Sequence, residues 1–316
     1  MRNSIEVKEL VKKFGKFVAV DGISFEVKQG EIFGFLGPNG AGKTTTIRML
    51  CGLMDPTSGE GTVGGFSVVR QGEEIKKNIG YMSQKFSLYE DLTVGENIDF
   101  YQGIYQTPRE SRPTKKEAII KRSELFGQEN VLTADLANSV KQHLALGCAL
   151  VHDPKIVFLD EPTAGVDPIS RKKFWGVIKG LSQQAVTTLV TTHYMDEAER
   201  CDRIALINGG RIIACDSPEN LKRNAMKGVL LEIECDAVMR GLDLLRELPI
   251  ILDITLYGLY LHAVVKEGAQ SREIAEHLRR HGLQVSKIEP IVPSLEDVFV
   301  FLVEEEERQK VRGKKP

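Results

Sequence analysis

A glycine-rich segment near the N-terminus has the residue types and spacing of a phosphate-binding loop. Residues 37–45 read Gly-Pro-Asn-Gly-Ala-Gly-Lys-Thr-Thr and fit the pattern G-x-x-x-x-G-K-[ST]. Glycines let backbone N–H groups close around phosphate oxygens, and the start of the next helix adds its positive dipole end. Lys43 would reach the β- and γ-phosphates, and Thr44 would offer its hydroxyl to Mg²⁺. The predicted phosphate-binding residues are Gly37, Asn39, Gly40, Ala41, Gly42, Lys43, Thr44 and Thr45.

Two adjacent carboxylates follow an apolar run much later in the chain. Residues 156–159 read Ile-Val-Phe-Leu, and Asp160 and Glu161 come directly after them. A strand that ends in carboxylates can hold a metal ion and a catalytic base at one edge of a sheet. We therefore predict Asp160 in the Mg²⁺ shell and Glu161 as the base for an attacking water.

Strands and helices alternate around these motifs, which predicts an α/β core. Residues 5–35 alternate in the strand period, and the buried run Glu31–Leu36 leads into the glycine-rich loop and a helical pattern at Thr44–Leu53. A helix is predicted over 168–182 and a β-branched strand over Thr187–Thr192. The first domain is predicted to span residues 1–227, with a mainly helical part at about 88–150.

The pattern changes after residue 227. Residues 228–303 carry 12 acidic and 7 basic residues, and their periodicities follow the order βαββαβ, with a hairpin turn at Tyr257-Gly258. This order predicts a small α+β domain of the ferredoxin-like type. The charged segment 304–316 is predicted to be a solvated, frayed end.

Composition limits the partners and the cellular compartment that we expect for the chain. The 316 residues have a formal net charge of −2, which argues against a field that recruits nucleic acid, and no stretch approaches the roughly 20 apolar residues that span a bilayer. Residues 1–5 lack the apolar core of a signal peptide, so we expect a cytoplasmic chain, and any transport role would need a membrane partner. Five scattered cysteines without a CxxC pair indicate reduced side chains.

The motifs together resemble those of the ATP-binding cassette (ABC) ATPase family. The resemblance covers roughly residues 3–225 and rests on residues 37–45, Gln84, Asp160-Glu161, Asp167 and His193. It implies a P-loop NTPase core with a helical subdomain that binds ATP and Mg²⁺.

The resemblance also implies roles for single residues. Phe14 would stack on adenine, Asp167 belongs to the D-loop, and His193 is the switch histidine near the γ-phosphate. Gln84 would touch Mg²⁺ and the water, and it would face a permease together with residues 85–105. The implied catalytic residues are Glu161, His193 and Gln84, and the implied metal ligands are Thr44, Gln84 and Asp160.

One family motif is altered. Where the family has the signature Leu-Ser-Gly-Gly-Gln, residues 136–140 read Leu-Ala-Asn-Ser-Val, and His143 stands where Arg is frequent. In the family this motif acts on nucleotide held by the facing subunit. A homodimer would then have two weakened sites, and a heterodimer with an intact partner would have one competent site. Ser139 could supply part of the missing hydroxyl function.

The C-terminal region resembles the accessory domain of exporter-type members, through residues 293–299, Pro-Ser-Leu-Glu-Asp-Val-Phe. This implies an exporter ATPase on the inner face of the cell membrane, partnered by permease subunits and a second ATP-binding subunit, with no nucleic acid. A regulatory or dimer-contact role of residues 228–303 is favoured over ligand binding. The alternatives are a soluble ABC ATPase of translation or DNA repair, and a P-loop kinase or small GTPase.

Overall fold

The computed structural model describes residues 3–84 and 88–312, which leaves Met1, Arg2, residues 85–87 of the predicted permease-facing segment and residues 313–316 outside it. The chain divides into two compact units, residues 1–215 and 216–316. This division precedes the boundary predicted after residue 227, and the helix at 218–224 falls in the second unit.

The first unit alternates strands and helices along its length. Its elements are β1 (Asn3–Phe14), β2 (Phe17–Lys28), β3 (Ile32–Leu36), α1 (Lys43–Leu50), β4 (Ser58–Val63), β5 (Phe66–Ser67), α2 (Gly72–Asn78), β6 (Ile79–Met82), α3 (Val94–Ile104), α4 (Arg112–Arg122), α5 (Asn138–Ala149), β7 (Ile156–Asp160), α6 (Pro168–Gln183), β8 (Thr187–Thr192), α7 (Met195–Ala198), β9 (Arg203–Asn208) and β10 (Arg211–Asp216).

A six-stranded sheet in the order β10-β9-β3-β8-β7-β6 forms the centre of this unit. β3 pairs in parallel with β8 and β9, and β7 pairs in parallel with β8 and β6. β3, β7 and β8 are buried throughout, which fits their continuous apolar or β-branched sequences. Because the strands are parallel, their carboxyl ends lie at one edge, and this edge collects Gly37, Glu161 and His193. The predicted α/β class is confirmed.

Two further parts complete the first unit. An antiparallel sheet in the order β2-β1-β4-β5 packs its apolar residues, including Ile5 and Phe25, into the same core as Phe33 and Phe35 of the central sheet. Helices α3, α4 and α5 pack on one another and fall within residues 88–150, the segment that was predicted to be mainly helical.

The second unit has the predicted βαββαβ order. Its elements are α8 (Pro218–Asn224), β11 (Val229–Cys235), α9 (Val238–Arg246), β12 (Ile251–Tyr257), β13 (Tyr260–Val265), α10 (Ser271–Arg280), β14 (Val285–Pro290) and α11 (Leu295–Arg312). The four strands form an antiparallel sheet in the order β12-β13-β11-β14, as in ferredoxin-like domains, with a core of its own around Ile233, Leu261 and Ile274.

The predicted frayed end at residue 304 is wrong for the described residues, because α11 continues to Arg312. Arg308 donates to Asp253 Oδ1 of β12 at 2.6 Å and to Glu304 Oε2, one turn earlier, at 2.9 Å. Charged residues that were interpreted as solvated therefore hold the helix against its own sheet.

Two simpler expectations also have outcomes. None of the five cysteines, all of which lie in the described residues, forms a disulfide, and four of them are buried. Within the described residues, no helix has both the length and the apolar character needed to cross a membrane.

His152 joins the helical part of the first unit to the central sheet. Its ring stacks on Tyr105, which follows α3, at a centroid distance of 3.7 Å, and its Nε2 lies 3.1 Å from the carbonyl oxygen of Ile79 in β6. Burial lowers the pKa of His152 from 6.5 to about 4, because the charged ring would lose its hydration.

The lowered pKa of His152 predicts that the folded protein loses stability in acid. The stabilisation from neutral His152 is complete above pH 6.5, the pKa expected for the unfolded chain, and is lost as pH falls through about 4. His152→Gln keeps a hydrogen-bonding group but cannot titrate, so its Tm should fall less than the wild-type Tm between pH 7 and pH 4.5. Each kcal/mol lost corresponds to about 2–4 °C in Tm. Parallel Tm curves from differential scanning calorimetry would contradict the assignment.

Candidate functional site

The glycine-rich loop lies between β3 and α1 with little space for side chains. A Cβ at Gly37 would lie 2.2 Å from the carbonyl oxygen of Ile207 in β9. Gly42 has φ of 103°, and a Cβ there would lie 2.6 Å from the carbonyl oxygen of Ala19 in β2. Glycine at these two positions therefore lets the loop backbone pass against both sheets, as the sequence predicted for a phosphate-binding loop.

Lys43, the first residue of α1, is folded back onto the loop and is only 4% exposed. Its Nζ donates to the carbonyl oxygens of Gly37 at 2.7 Å and Pro38 at 3.1 Å, and lies 3.2 Å from Glu161 Oε1. A buried ammonium group needs such partners, because it has lost its hydration. The lysine is thus placed at the mouth of the loop, facing the carboxyl edge of the sheet.

Asp160 ends β7 and contacts the loop through Thr44. Its Oδ1 accepts from Thr191 Oγ1 at 2.7 Å and from Thr44 Oγ1 at 3.1 Å, whereas its buried Oδ2 has no hydrogen-bond partner. Burial raises the pKa of Asp160, the hydrogen bonds from both threonines oppose that shift, and the charge of Glu161 adds to it. A cation beside Oδ2 would satisfy the unpartnered oxygen and the buried charge together.

Glu161 is held in a left-handed backbone conformation, with φ of 48°. Its N–H donates to Thr191 Oγ1 at 2.9 Å, which fixes this uncommon geometry at the end of the strand. The carboxylate meets three predicted site residues: Lys43 at Oε1, and at Oε2 both Gln84 Nε2 at 3.1 Å and His193 Nδ1 at 3.5 Å. Three residues that are distant from one another in sequence therefore contact the Glu161 carboxylate.

The other predicted loop residues lie around this centre. Ala41 and Gly42 are buried, Asn39 and Gly40 are exposed on the loop, and Thr45 is half-buried in α1. Phe14 lies at the end of β1 opposite Phe17, with its ring 48% exposed. An exposed ring leaves a face open for stacking, and its contact with adenine stays a prediction.

The altered signature lies at the start of α5. Ala137 is the N-cap residue, is exposed and makes no side-chain capping bond, and Asn138 and Ser139 begin the helix. The Ser139 carbonyl oxygen lies 2.8 Å from His143 Nδ1, and the His143 ring packs edge-on against Phe174 of α6. The position where the family has a serine thus presents only a methyl group to solvent.

Asp167 performs a local structural task. Its carboxylate caps α6 by accepting from the N–H groups of Ile169 and Ser170, each at 3.0 Å. A hydrogen bond from the Ser170 side chain, together with these backbone bonds, lowers the pKa of Asp167. Gln142 of α5 donates to the carbonyl oxygen of Ala164 at 3.2 Å, which connects the signature helix to the segment between Glu161 and Asp167.

Sequence reasoning missed a buried group behind the site. Glu197 in α7 is fully buried and accepts from Thr163 Oγ1 and from Thr192 Oγ1, the latter at 2.7 Å. Arg171 of α6 lies 3.3 Å from its Oε1. The available signal was a carboxylate four residues after His193 at helical spacing, which is common on solvated surfaces and therefore uninformative alone.

Two family models match the chain. One, described as "ABC transporter", matches residues 20–164, and one described as "ATP-binding protein DrrA1-3-like, C-terminal domain" matches residues 217–303.

Curated relatives and solved structures agree with these matches. The chain is 50% identical over 221 residues to the "Probable multidrug ABC transporter ATP-binding protein YbhF" of Escherichia coli, covering 69% of this chain but only 38% of that protein. It is 33% identical over 306 residues to the "Nod factor export ATP-binding protein I" of Rhizobium etli, covering 95% of this chain and 93% of that one. A dimeric ATP-binding cassette in a post-hydrolysis state with ADP and Pi matches with a TM-score of 0.62 at 26% identity, covering 67% and 98% of the two chains.

The close approach at Gly37 predicts a stability effect. Gly37→Ala would bring a methyl group against the backbone of β9, which cannot yield as a flexible side chain can, so we expect a loss of about 1–3 kcal/mol in the free energy of unfolding. Gly176→Ala in α6 is the matched control, because a Cβ there meets nothing within 4 Å and alanine favours the helix. Urea denaturation measures both. Equal stability of the two variants would contradict the packing described for the loop.

Proposed function

Because the chain belongs to the family of ATP-binding proteins of ABC transporters, we propose that it binds ATP with Mg²⁺ and hydrolyses it to drive transport by a separate membrane permease. The observation that carries this proposal is the convergence of Lys43, Gln84 and His193 on Glu161, directly beside Asp160 and the phosphate-binding loop. These are the groups that phosphoryl transfer to water needs: a phosphate clamp, a metal ligand and a base.

The buried lysine and glutamate suggest the order of events. An incoming γ-phosphate offers Lys43 stronger partners than the carbonyl oxygens of Gly37 and Pro38, so the ammonium group turns to the phosphate. Glu161 then loses its cationic partner and becomes available to accept a proton from the attacking water. Gln84 orients that water from the side of Oε2, and His193 contacts the γ-phosphate.

The oxygen atoms near the loop fit a magnesium ion. Mg²⁺ prefers oxygen ligands and is commonly held by one or two protein groups together with nucleotide phosphates. Thr44 supplies a hydroxyl, and Asp160 supplies the buried Oδ2 that has no partner. When bound there, the ion would neutralise charge on the β- and γ-phosphates. Gln84 is a further ligand in this proposal.

A second ATP-binding subunit completes the site in this account. The α5 start carries an alanine, an asparagine and a serine where the family presents a serine and two glycines. We therefore assign two unequal contributions to the chain. Its own phosphate-binding loop and Glu161 form a competent part of one nucleotide site. The α5 start that it offers to the nucleotide site of its partner is a weakened part. The solved dimeric cassette with ADP and Pi supports such a pairing.

The membrane role rests on the relatives. YbhF is named as part of a probable multidrug ABC transporter, and the Rhizobium protein is named for Nod factor export. We assign the chain to an exporter at the inner face of the cell membrane, with a permease that contacts the region around Gln84. These names favour a transporter over a soluble ABC ATPase. Residues 228–303 are assigned a regulatory or dimer-contact role.

Removing the phosphate clamp should weaken nucleotide binding. Lys43→Ala deletes a charge-assisted hydrogen bond to phosphate, worth about 1.5–3 kcal/mol, so the Kd for ATP should rise about 10- to 100-fold. Lys77→Ala is the control, since that exposed lysine pairs with Glu74 in α2. Isothermal titration calorimetry measures both variants, and an unchanged Kd for Lys43→Ala would remove the assignment of the loop.

Restoring the signature should raise turnover. The triple change Ala137→Ser, Asn138→Gly and Ser139→Gly returns a hydroxyl and close backbone approach to the γ-phosphate, and each lost contact of this kind typically costs about 100-fold in kcat. Steady-state ATP hydrolysis by the purified chain should therefore rise at least about 10-fold. If turnover stays at the wild-type level, the altered signature is not what limits hydrolysis.

In the chain with the restored signature, Glu161→Gln should abolish most ATP hydrolysis and leave ATP binding intact. The amide cannot accept the proton of water, so kcat should fall about 100-fold or more while the Kd for ATP changes little. Glu73→Gln, at an exposed surface pair with Lys76, serves as the control. Full turnover by the Glu161 variant would place the base elsewhere.

A further inference from the structure

A fully buried carboxylate lies between the two segments that carry the proposed base and the switch histidine. Glu197 is 0% exposed, although its neighbour Asp196 is open to solvent. Burying an ionised carboxylate is costly unless it is hydrogen-bonded and paired. Glu197 meets both conditions, since two threonine hydroxyls and one guanidinium group approach it.

Each threonine comes from a different edge of the site. Thr163 follows Glu161 by two residues and donates through Oγ1 to Glu197 Oε1. Thr192 directly precedes His193, donates through Oγ1 to Glu197 Oε2 at 2.7 Å, and accepts from the N–H of Tyr194 at 3.0 Å. One carboxylate therefore connects the segment after β7 to the last residue of β8.

Arg171 adds a third connection on the same side. Its guanidinium lies 3.3 Å from Glu197 Oε1 and 4.3 Å from the centre of the Tyr194 ring. The Tyr194 ring in turn lies against the His193 ring at a centroid distance of 4.1 Å. The His193 imidazole thus packs on Tyr194, and Arg171 holds the Tyr194 ring by a cation–π contact while it pairs with Glu197.

We propose that Glu197 is a positioning residue that fixes His193 relative to Glu161, through Thr192 on one side and Thr163 on the other. The separation that it sets is the 3.5 Å between His193 Nδ1 and Glu161 Oε2. Only an ionised carboxylate can accept at both oxygens and pair with Arg171 at the same time. Misplacement of reacting groups by about 1 Å can cost about 100-fold in rate, so we expect a catalytic effect of Glu197. That effect rests on the proposed function.

The test measures the position of His193 without nucleotide. In full-length chain labelled with ¹⁵N-histidine, the six histidines give separate imidazole signals, and His193→Gln identifies the one from His193. Glu197→Gln and Thr192→Val should shift or broaden that signal and leave the His152 signal in place as evidence of an intact fold. Thr192→Ser, which keeps the hydroxyl, and the remote surface variant Glu73→Gln should leave it unchanged.

Turnover provides the second readout, in the chain with the restored signature. Glu197→Gln and Thr192→Val should lower kcat about 10- to 100-fold with less than about a threefold change in KM, and Thr192→Ser should recover most of it. A purely structural Glu197 would lower Tm but leave the His193 signal and the kcat of folded protein unchanged, which would overturn the proposal. Equal turnover by this chain and its Lys43→Ala variant would instead refute the proposed function, and the imidazole signal would still decide the role of Glu197.

Discussion

A buried lysine and a buried glutamate, 3.2 Å apart, face each other where three parallel strands end, and the rest of the site depends on this pair. Neither charge is stable in a protein interior without a partner. Lys43 and Glu161 therefore stabilise each other. In the proposed function, a nucleotide γ-phosphate replaces Glu161 as the partner of the lysine. The exchange that we propose would leave the glutamate free to act as a base.

The fold is arranged around that edge. Parallel pairing of β3, β7 and β8 brings Gly37, Asp160 and His193 together although they are distant in sequence. Thr191 fixes two neighbours at once, because its hydroxyl donates to Asp160 and its oxygen accepts from the N–H of Glu161. Thr191 in β8, which pattern alone identifies only as a strand former, thus holds the Asp160 carboxylate and the backbone of Glu161.

Much of the fold and the site motifs could be predicted from the sequence, because motif spacing and strand periodicity depend on local structure. The loop at 37–45, the strand Thr187–Thr192 and the βαββαβ order of the second unit follow from such local patterns, and the structure has them. Long-range partners were not predictable. Glu197 resembles a solvated helix residue until the fold buries it, and Arg308 resembled part of a frayed end until β12 supplied Asp253. The roles of single site residues, including Phe14 and Gln84, remain predictions.

The central claim is that this chain has a competent nucleotide site and offers its partner a weakened signature, and a mixing experiment tests it most directly. A second chain carries Lys43→Ala together with serine, glycine and glycine at positions 137–139, so it cannot bind ATP well but presents an intact signature. Mixed with the wild-type chain, it should give ATP turnover well above the sum of the two separate preparations, because wild-type loops would face restored signatures. Turnover equal to that sum would contradict the account.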